Sequence, residues 1–312
     1  MKPLGHPAND AERLLEASLQ RLAEYAPSTL RYETISGGIT NANYRVVSGE
    51  PDAVLFVKIP GKGTEVFIDR KVANQAAVLA SNVGLGPRVL HFFADTGVEI
   101  SEFVEGYRPC NNFDFQKKPV RDMAIDCYRK FHHGDLLSQT KTAFQMIDEH
   151  VDQAVSLNGI FPDDWAWLDR QYRLARAALE ASGLDITPCF NDPMPGNFML
   201  NADGSRMLLI DYEYGSNNDR CYELGIWFGE MFFEEDVERE LIERYFGTIR
   251  EEIIARCQIY KALADIKWGC WSIVQARQSD LAFDYSKYGA WKFLRARSVM
   301  NDWRWEAWLR KI

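Results

Sequence analysis

An aspartate and an asparagine stand five residues apart in Asn191-Asp192-Pro193-Met194-Pro195-Gly196-Asn197. A further aspartate, Asp211, follows the apolar run Leu208-Leu209-Ile210. Phosphoryl transfer asks for this set: a carboxylate at the attacking hydroxyl and oxygen ligands for Mg2+. Asp192 is the candidate base, and Asn197 and Asp211 are the candidate metal ligands. Taken alone, Asp192 and Asn197 would also serve as ordinary turn formers. Upstream, Ser36-Gly37-Gly38-Ile39-Thr40-Asn41 lies between two β-type runs. Glycines there let backbone N–H groups approach phosphate oxygens. By itself this is a hairpin turn. Lys58, in the apolar run 54–59, has the reach to contact the α- and β-phosphates. The acidic set, the glycine turn and the lysine together make a stronger pattern than any one of them.

These residues need elements to position them. Apolar spacing at Ala11, Leu14, Leu15, Leu19 and Leu22 predicts a helix over 9–25, capped by Asn9 or Asp10. β-type runs follow at 30–35, 44–47 and 54–59, then a helix over 65–83 ended by Gly84, then strands at 88–93 and 98–103. Beyond Gly106 helical periodicity covers 119–133, 143–158, 163–182, 220–233, 235–256, 258–280 and 284–308. The exception is 189–214, where strands at 198–200 and 207–210 flank a loop. The expected fold is α+β and two-lobed, protein-kinase-like, with a small β-rich N-terminal lobe over 1–104 and a mainly helical lobe over 105–312.

Composition narrows the partners. The chain has 312 residues, 46% apolar and 26% charged, enough to bury a sizeable core. That excludes disorder as the main state. Net charge is −9 with no basic block, which argues against nucleic acid and accommodates a cationic or metal-borne ligand. The aromatic share is 13%, with nine tryptophans that need packing or ligand contact to explain them. The six cysteines lack C-x-x-C spacing and read as reduced core thiols. Cys189, beside the catalytic loop, has no histidine near it in sequence and reads as packing. His132-His133 reads as a helix C-terminal cap or dipole partner. No apolar run is long enough to span a bilayer, and residues 1–9 carry no signal-type apolar region. A cytoplasmic protein is expected, without membrane insertion. Its oligomeric state stays open.

The chain resembles the choline/ethanolamine kinase family, itself similar to aminoglycoside phosphotransferases, over roughly residues 30–300. Ser36 to Asn41 looks like the family's phosphate loop, and 59–65 resembles the stretch after the nucleotide-binding strand. Leu85-Gly86-Pro87 and Ser101-Glu102-Phe103-Val104 resemble the approach to a hinge, here at about 101–105. The resemblance implies that the backbone of Glu102 and Val104 meets adenine. The run from Ile210 through Asp211 to Arg220, continuing through Glu223-Leu224-Gly225 to Glu230, resembles the choline kinase metal-site motif. Trp268-Gly269-Cys270-Trp271-Ser272-Ile273-Val274-Gln275-Ala276 resembles the family's tryptophan motif, and Tyr288 stands where the family keeps a pocket tyrosine. What the resemblance implies is an ATP- and Mg2+-dependent kinase of choline or ethanolamine.

Physical chemistry supports that acceptor. A trimethylammonium head donates no N–H bond and is best held by aromatic faces with a carboxylate nearby. Trp268 and Trp271 share a helix face at i and i+3. Tyr288 can close from the next helix, and Glu230 can supply charge. The same spacing also describes a packed aromatic core. Three departures stand out. Phe190 replaces a loop-bracing histidine of the family. Ala73, beside Asn74 and Gln75, occupies the position of the helix glutamate that usually pairs the strand lysine, leaving Glu65 or Asp69 as substitutes. Lys58 stands where choline kinases often carry arginine. Two other readings follow: a non-catalytic kinase-like binding module, and a kinase of another small alcohol or an aminoglycoside. The intact Asp192, Asn197 and Asp211 argue against the first, and the aromatic pocket against the second.

Overall fold

The structure, a computed structural model, describes residues 1–36, 40–279 and 281–312. The chain divides into two units, Met1–Arg108 with Met199–Tyr214, and Pro109–Phe198 with Gly215–Ile312.

The first unit opens with a two-residue strand, β1 (Lys2–Pro3), and the helix α1 (Asp10–Leu19). Asn9 caps α1 by accepting the Glu12 N–H. The strands β2 (Arg31–Ile35), β3 (Asn41–Gly49) and β4 (Asp52–Pro60), the helix α2 (Arg70–Asn82), and the strands β5 (Val89–Phe93) and β6 (Val98–Glu102) follow. The sheet order is β1-β2-β3-β4-β6-β5. Along β4, Leu55, Val57 and Ile59 are buried and join Leu15 and Leu19 of α1 in one core cluster. Period-two alternation therefore turns Phe56 and Lys58 to the opposite face. The helix expected over 65–83 begins only at Arg70, because the Asp69 side chain accepts the Lys71 N–H at 2.9 Å and fixes the start there. Residues Thr64–Val66 form a separate short 3-10 turn.

A short strand, β7 (Tyr107–Pro109), precedes the helices α3 (Lys118–His132), α4 (Ala143–Ser156) and α5 (Trp165–Ser182). Then come β8 (Ile186–Cys189), β9 (Phe198–Asn201), β10 (Met207–Leu209) and β11 (Ser216–Asp219). The β9–β10 hairpin matches the expected strands. The antiparallel pair β8–β11 was not expected; it registers Ser216 with Cys189 and Asp219 with Ile186. Polar residues fill β11, so no apolar alternation marks it.

The helices α6 (Arg220–Met231), α7 (Glu235–Phe246), α8 (Glu251–Gln278), α9 (Tyr285–Met300) and α10 (Trp305–Lys311) complete the second unit. The expected break between 256 and 258 lies instead at 247–250. Gly247 takes φ 74°, left-handed backbone that ends α7. α8 then runs unbroken for 28 residues and is buried almost continuously from Ile253 to Gln275. A helix buried on every side shows no amphipathic period, which is why periodicity misplaced its ends. Among the described residues no helix is long and apolar enough to cross a membrane.

α6 meets α8 at Gly225. A Cβ there would stand 2.8 Å from both the Cys257 carbonyl oxygen and the Lys261 nitrogen. Those are backbone atoms inside a helix and cannot move aside cheaply. Gly225→Ala is therefore expected to cost about 2–3 kcal/mol and to lower the melting temperature by several degrees in a thermal scan. An unchanged melting temperature overturns this close approach.

Candidate functional site

In the first unit the lysine on β4 finds its charge partner after β10. Lys58 Nζ donates to Asp211 Oδ1 at 2.6 Å. Asp211 takes φ 70°, a left-handed conformation unusual for a residue with a side chain. Burial alone would lower the Lys58 pKa, but Asp211, then Glu213 and Glu99, outweigh it and hold the ammonium form well above its ordinary range.

Glu99 was not picked out from the sequence. It lies directly across from Lys58 in the β4–β6 ladder and so shares its face. Asn74 of α2 donates to Glu99 Oε2 at 2.8 Å. The carboxylate that Ala73 lacks is thus supplied from the neighbouring strand, and Asn74 braces it. The expected substitutes do not fill this place: Asp69 caps α2, and Glu65 is an exposed residue of the preceding turn. Only the β4–β6 register reveals this pairing, and no feature of the sequence near Glu99 marks it.

Thr40 and Asn41 also converge on a carboxylate. Both donate to Glu213, as does Arg70, which reaches Asn41 Oδ1 as well at 3.0 Å. The end of the Ser36–Asn41 segment is therefore tied to the residue two positions beyond Asp211. Ser36 lies exposed just past β2. Gly37 and Gly38 lie outside the described residues. Glu102 ends β6, with its N–H on the Arg88 carbonyl at 2.9 Å and its side chain on Arg88 Nε at 2.9 Å. Val104 is half-buried in the segment that follows.

In the second unit Asp192 and Asn197 meet. Asn197 Nδ2 donates to the Asp192 carbonyl at 3.0 Å and to Asp192 Oδ2 at 3.2 Å. This turns the Asn197 amide oxygen away from the Asp192 carboxylate. Asn197 and Asp211 both present hard oxygen donors, the type that suits Mg2+.

The loop bearing Asp192 is braced from α6. Glu223, fully buried, accepts the N–H groups of Phe190, at 2.8 Å, and Asn191. His132 Nε2 lies 2.7 Å from the same carboxylate, and His132 Nδ1 lies 2.6 Å from the Tyr245 hydroxyl. His132 is therefore a buried bridge between α3, α6 and α7, while its neighbour His133 is the C-terminal cap of α3, as expected for the pair. It also comes close in space to Cys189: His132, Cys189 and Glu223 form a fully buried trio. Burial pushes the Cys189 thiol well above its usual pKa, so it stays protonated. Packing remains its part.

The polar residues of β11 are braces too. Asn217 exchanges hydrogen bonds with the Leu137 backbone at 2.8 Å each. Asn218 donates to Asn191 Oδ1 at 3.1 Å and accepts the Ala143 N–H at 3.1 Å. Asp219 caps α6 and pairs with Arg256.

The expected acceptor residues lie on three helices, α6, α8 and α9. Trp268 and Trp271 stand edge to face with centroids 5.5 Å apart, and Trp271 meets Tyr288 at 5.9 Å. Tyr285 adds a further ring, 5.8 Å from Trp271. α9 is held close because Gly289 faces Ser272, with no room for a Cβ. Burial raises the Tyr288 hydroxyl pKa, and the charges of Glu230, Asp192 and Asp265 raise it further.

Glu230 differs from its expected state. Lys292 and Arg295 both bond it, and Arg295 also bonds Asp265. Burial would raise the Glu230 carboxyl, but these two cations outweigh it and hold the group below the usual carboxylate range. Its charge is thus already matched within the chain. The sequence reading did not include Lys292, Arg295 or Asp265; the acidic Asp265 amid apolar neighbours of α8 was the available signal.

Comparison with known proteins fits this arrangement. The profile of the choline/ethanolamine kinase family matches residues 32–245. A probable ethanolamine kinase of Arabidopsis thaliana is 25% identical over 295 residues, 85% of this chain and 78% of that one. The crystal structure of a choline/ethanolamine kinase family protein from Mesorhizobium loti aligns at TM-score 0.79 and 27% identity, covering 96% of this chain and 98% of that one. A choline kinase from Streptococcus pneumoniae aligns at TM-score 0.77 and 25% identity, covering 95% and 100%. The fold is the protein-kinase-like phosphotransferase fold, and the chain belongs to the choline/ethanolamine kinase family.

Proposed function

We propose that this protein is an ATP- and Mg2+-dependent kinase that phosphorylates the hydroxyl of choline or ethanolamine. The observation that carries the reading is the Asn197–Asp192 contact on a loop whose backbone Glu223 holds. Binding alone does not require a carboxylate and an amide fixed together in this way. Asp192 is assigned to orient the acceptor hydroxyl and take its proton. Lys58 is assigned to the nucleotide phosphates, with Ser36, Gly37, Gly38, Thr40 and Asn41 as their backbone cradle. Glu102 and Val104 are assigned to adenine. Asn197 and Asp211 would hold Mg2+, which when bound neutralises charge on the phosphate oxygens. Trp268, Trp271, Tyr288 and Glu230 are assigned to the amine head. In this reading residues 1–104 form the nucleotide lobe, with a hinge near 101–105. All six cysteines are free and buried, which suits a reducing compartment, and we place the activity in the cytoplasm.

The pairing of Glu230 with Lys292 and Arg295 favours a second reading, in which the same machinery phosphorylates a different small alcohol. ADP release measured over a panel of choline, ethanolamine, uncharged alcohols and an aminoglycoside distinguishes the two. ADP release with neither amino alcohol overturns the first reading.

The assigned base has a direct test. Asp192→Asn is expected to lower kcat by about 10²–10⁴-fold while ATP binding, followed by calorimetry, persists. A near-native rate removes Asp192 from that role.

The rings have a separate test. A cation over an indole contributes about 1–2 kcal/mol. Trp271→Ala is therefore expected to raise the acceptor KM on the order of tenfold and to leave the KM for ATP unchanged. If the acceptor KM does not move, the ring serves the core alone.

A further inference from the structure

Lys267 lies in the middle of α8, between Ile266 and Trp268, and is 1% exposed. A lysine there is out of keeping with a helix buried on nearly every side, because burying an ammonium is costly. Its nitrogen stands 3.0 Å from the centroid of the Trp268 ring. Burial pushes its pKa far below the usual lysine value; Asp192 opposes the shift, while Lys141 and Lys292 add to it. The nitrogen therefore feels the charges of Asp192, Lys141 and Lys292.

The other rings fit the same pattern. Lys292 Nζ stands over Tyr288 at 5.0 Å. Two of the three rings assigned to the amine head already carry a nitrogen of the chain on a face. A quaternary ammonium depends on open ring faces, since it has no N–H to donate. A primary ammonium is smaller and is recognised through N–H donation to oxygen acceptors. The Tyr288 hydroxyl on the pocket side feels the carboxylates of Glu230 and Asp192, which can accept such N–H groups.

We propose that Lys267 sets acceptor specificity: seated on the face of Trp268, it denies that face to a trimethylammonium head, so the pocket takes a primary-amino alcohol in preference to a quaternary one. This rests on the kinase reading given above. The nitrogen covers the ring whether or not it carries a proton, and a protonated Lys267 would further repel a head that cannot donate to a neighbouring oxygen.

The test uses the full chain with ATP and Mg2+. Initial rates of ADP release are measured with ethanolamine, N-methylethanolamine, N,N-dimethylethanolamine and choline. The expected result is a stepwise fall in kcat/KM with methylation, on the order of tenfold or more from ethanolamine to choline. Lys267→Met removes the nitrogen and keeps an unbranched side chain of similar length. It is expected to raise the choline-to-ethanolamine ratio about tenfold with the KM for ATP unmoved, whereas Lys267→Arg keeps the original ranking. Equal or greater kcat/KM for choline in the unaltered enzyme overturns the proposal, and this comparison holds even if the methionine variant does not fold. An active Lys267→Met with an unchanged ratio also overturns it. If ADP is released but the ranking is flat, the kinase reading stands and the specificity assignment falls. If no alcohol of the series releases ADP, both fall.

Discussion

The carboxylate of Glu223, out of contact with water, holds the backbone from which Asp192 projects. A buried charge is tolerated only where hydrogen bonds replace lost hydration. Glu223 has them from the N–H groups of Phe190 and Asn191 and from the ring of His132. Asn191 adopts φ 63°, a conformation that costs energy in a residue with a Cβ and persists where its surroundings over-determine it. Those surroundings are explicit: Ser216 and Asn218 bond the Asn191 amide. The helices supply the frame, and the strained loop is fitted to it. This also accounts for Phe190. Its side chain is fully buried, and its backbone N–H bonds Glu223, so the loop is braced there without a polar side chain.

The first unit solves a related problem with opposite charge. Lys58 sits on the sheet face turned away from the α1 core. Asp211 pairs it directly, while Glu99 and Glu213 add negative potential from either side. The arrangement spares the helix its usual duty. Asn74 has only to brace Glu99, and an amide does that without adding charge. Glu213 in turn ties Arg70, Thr40 and Asn41 together. A carboxylate bonded by one cation and two polar donors is well satisfied, and its ties keep Asn41 oriented beside the residues that follow β10.

Legibility in the sequence followed the physics of each element. Strands rich in apolar and β-branched residues announced themselves as short β-type runs, as β4 did, and the α+β fold could be read from that succession. α8 could not be bounded, because a helix buried all round carries no amphipathic period and Gly247 was the better marker. β8 and β11 were missed because their residues serve hydrogen bonds more than a core. Asp192, Asn197, Asp211 and Lys58 were legible as chemistry-bearing types at suitable spacing. Glu99 was not, since its meaning depends on cross-strand register with Lys58. Neither was the part played by Glu223, because a brace on backbone N–H groups leaves no mark on the residues it holds.

The aromatic motif of α8 shows why spacing alone does not separate a core from a ligand cage. Both uses bring rings together edge to face, and both need α9 close, which Gly289 permits. The difference lies in what covers the ring faces and whether nearby charge is balanced. Lys267 covers Trp268, Lys292 stands over Tyr288, and the acids Glu230 and Asp265 are matched by Lys292 and Arg295. A pocket balanced in this way attracts a cation weakly through net charge. Discrimination then falls to hydrogen-bond geometry, where the number of N–H donors on the guest decides more than its charge does. If the proposal holds, the Trp268 indole, which would otherwise form an open wall for a quaternary head, becomes under the Lys267 nitrogen a boundary on the size of that head.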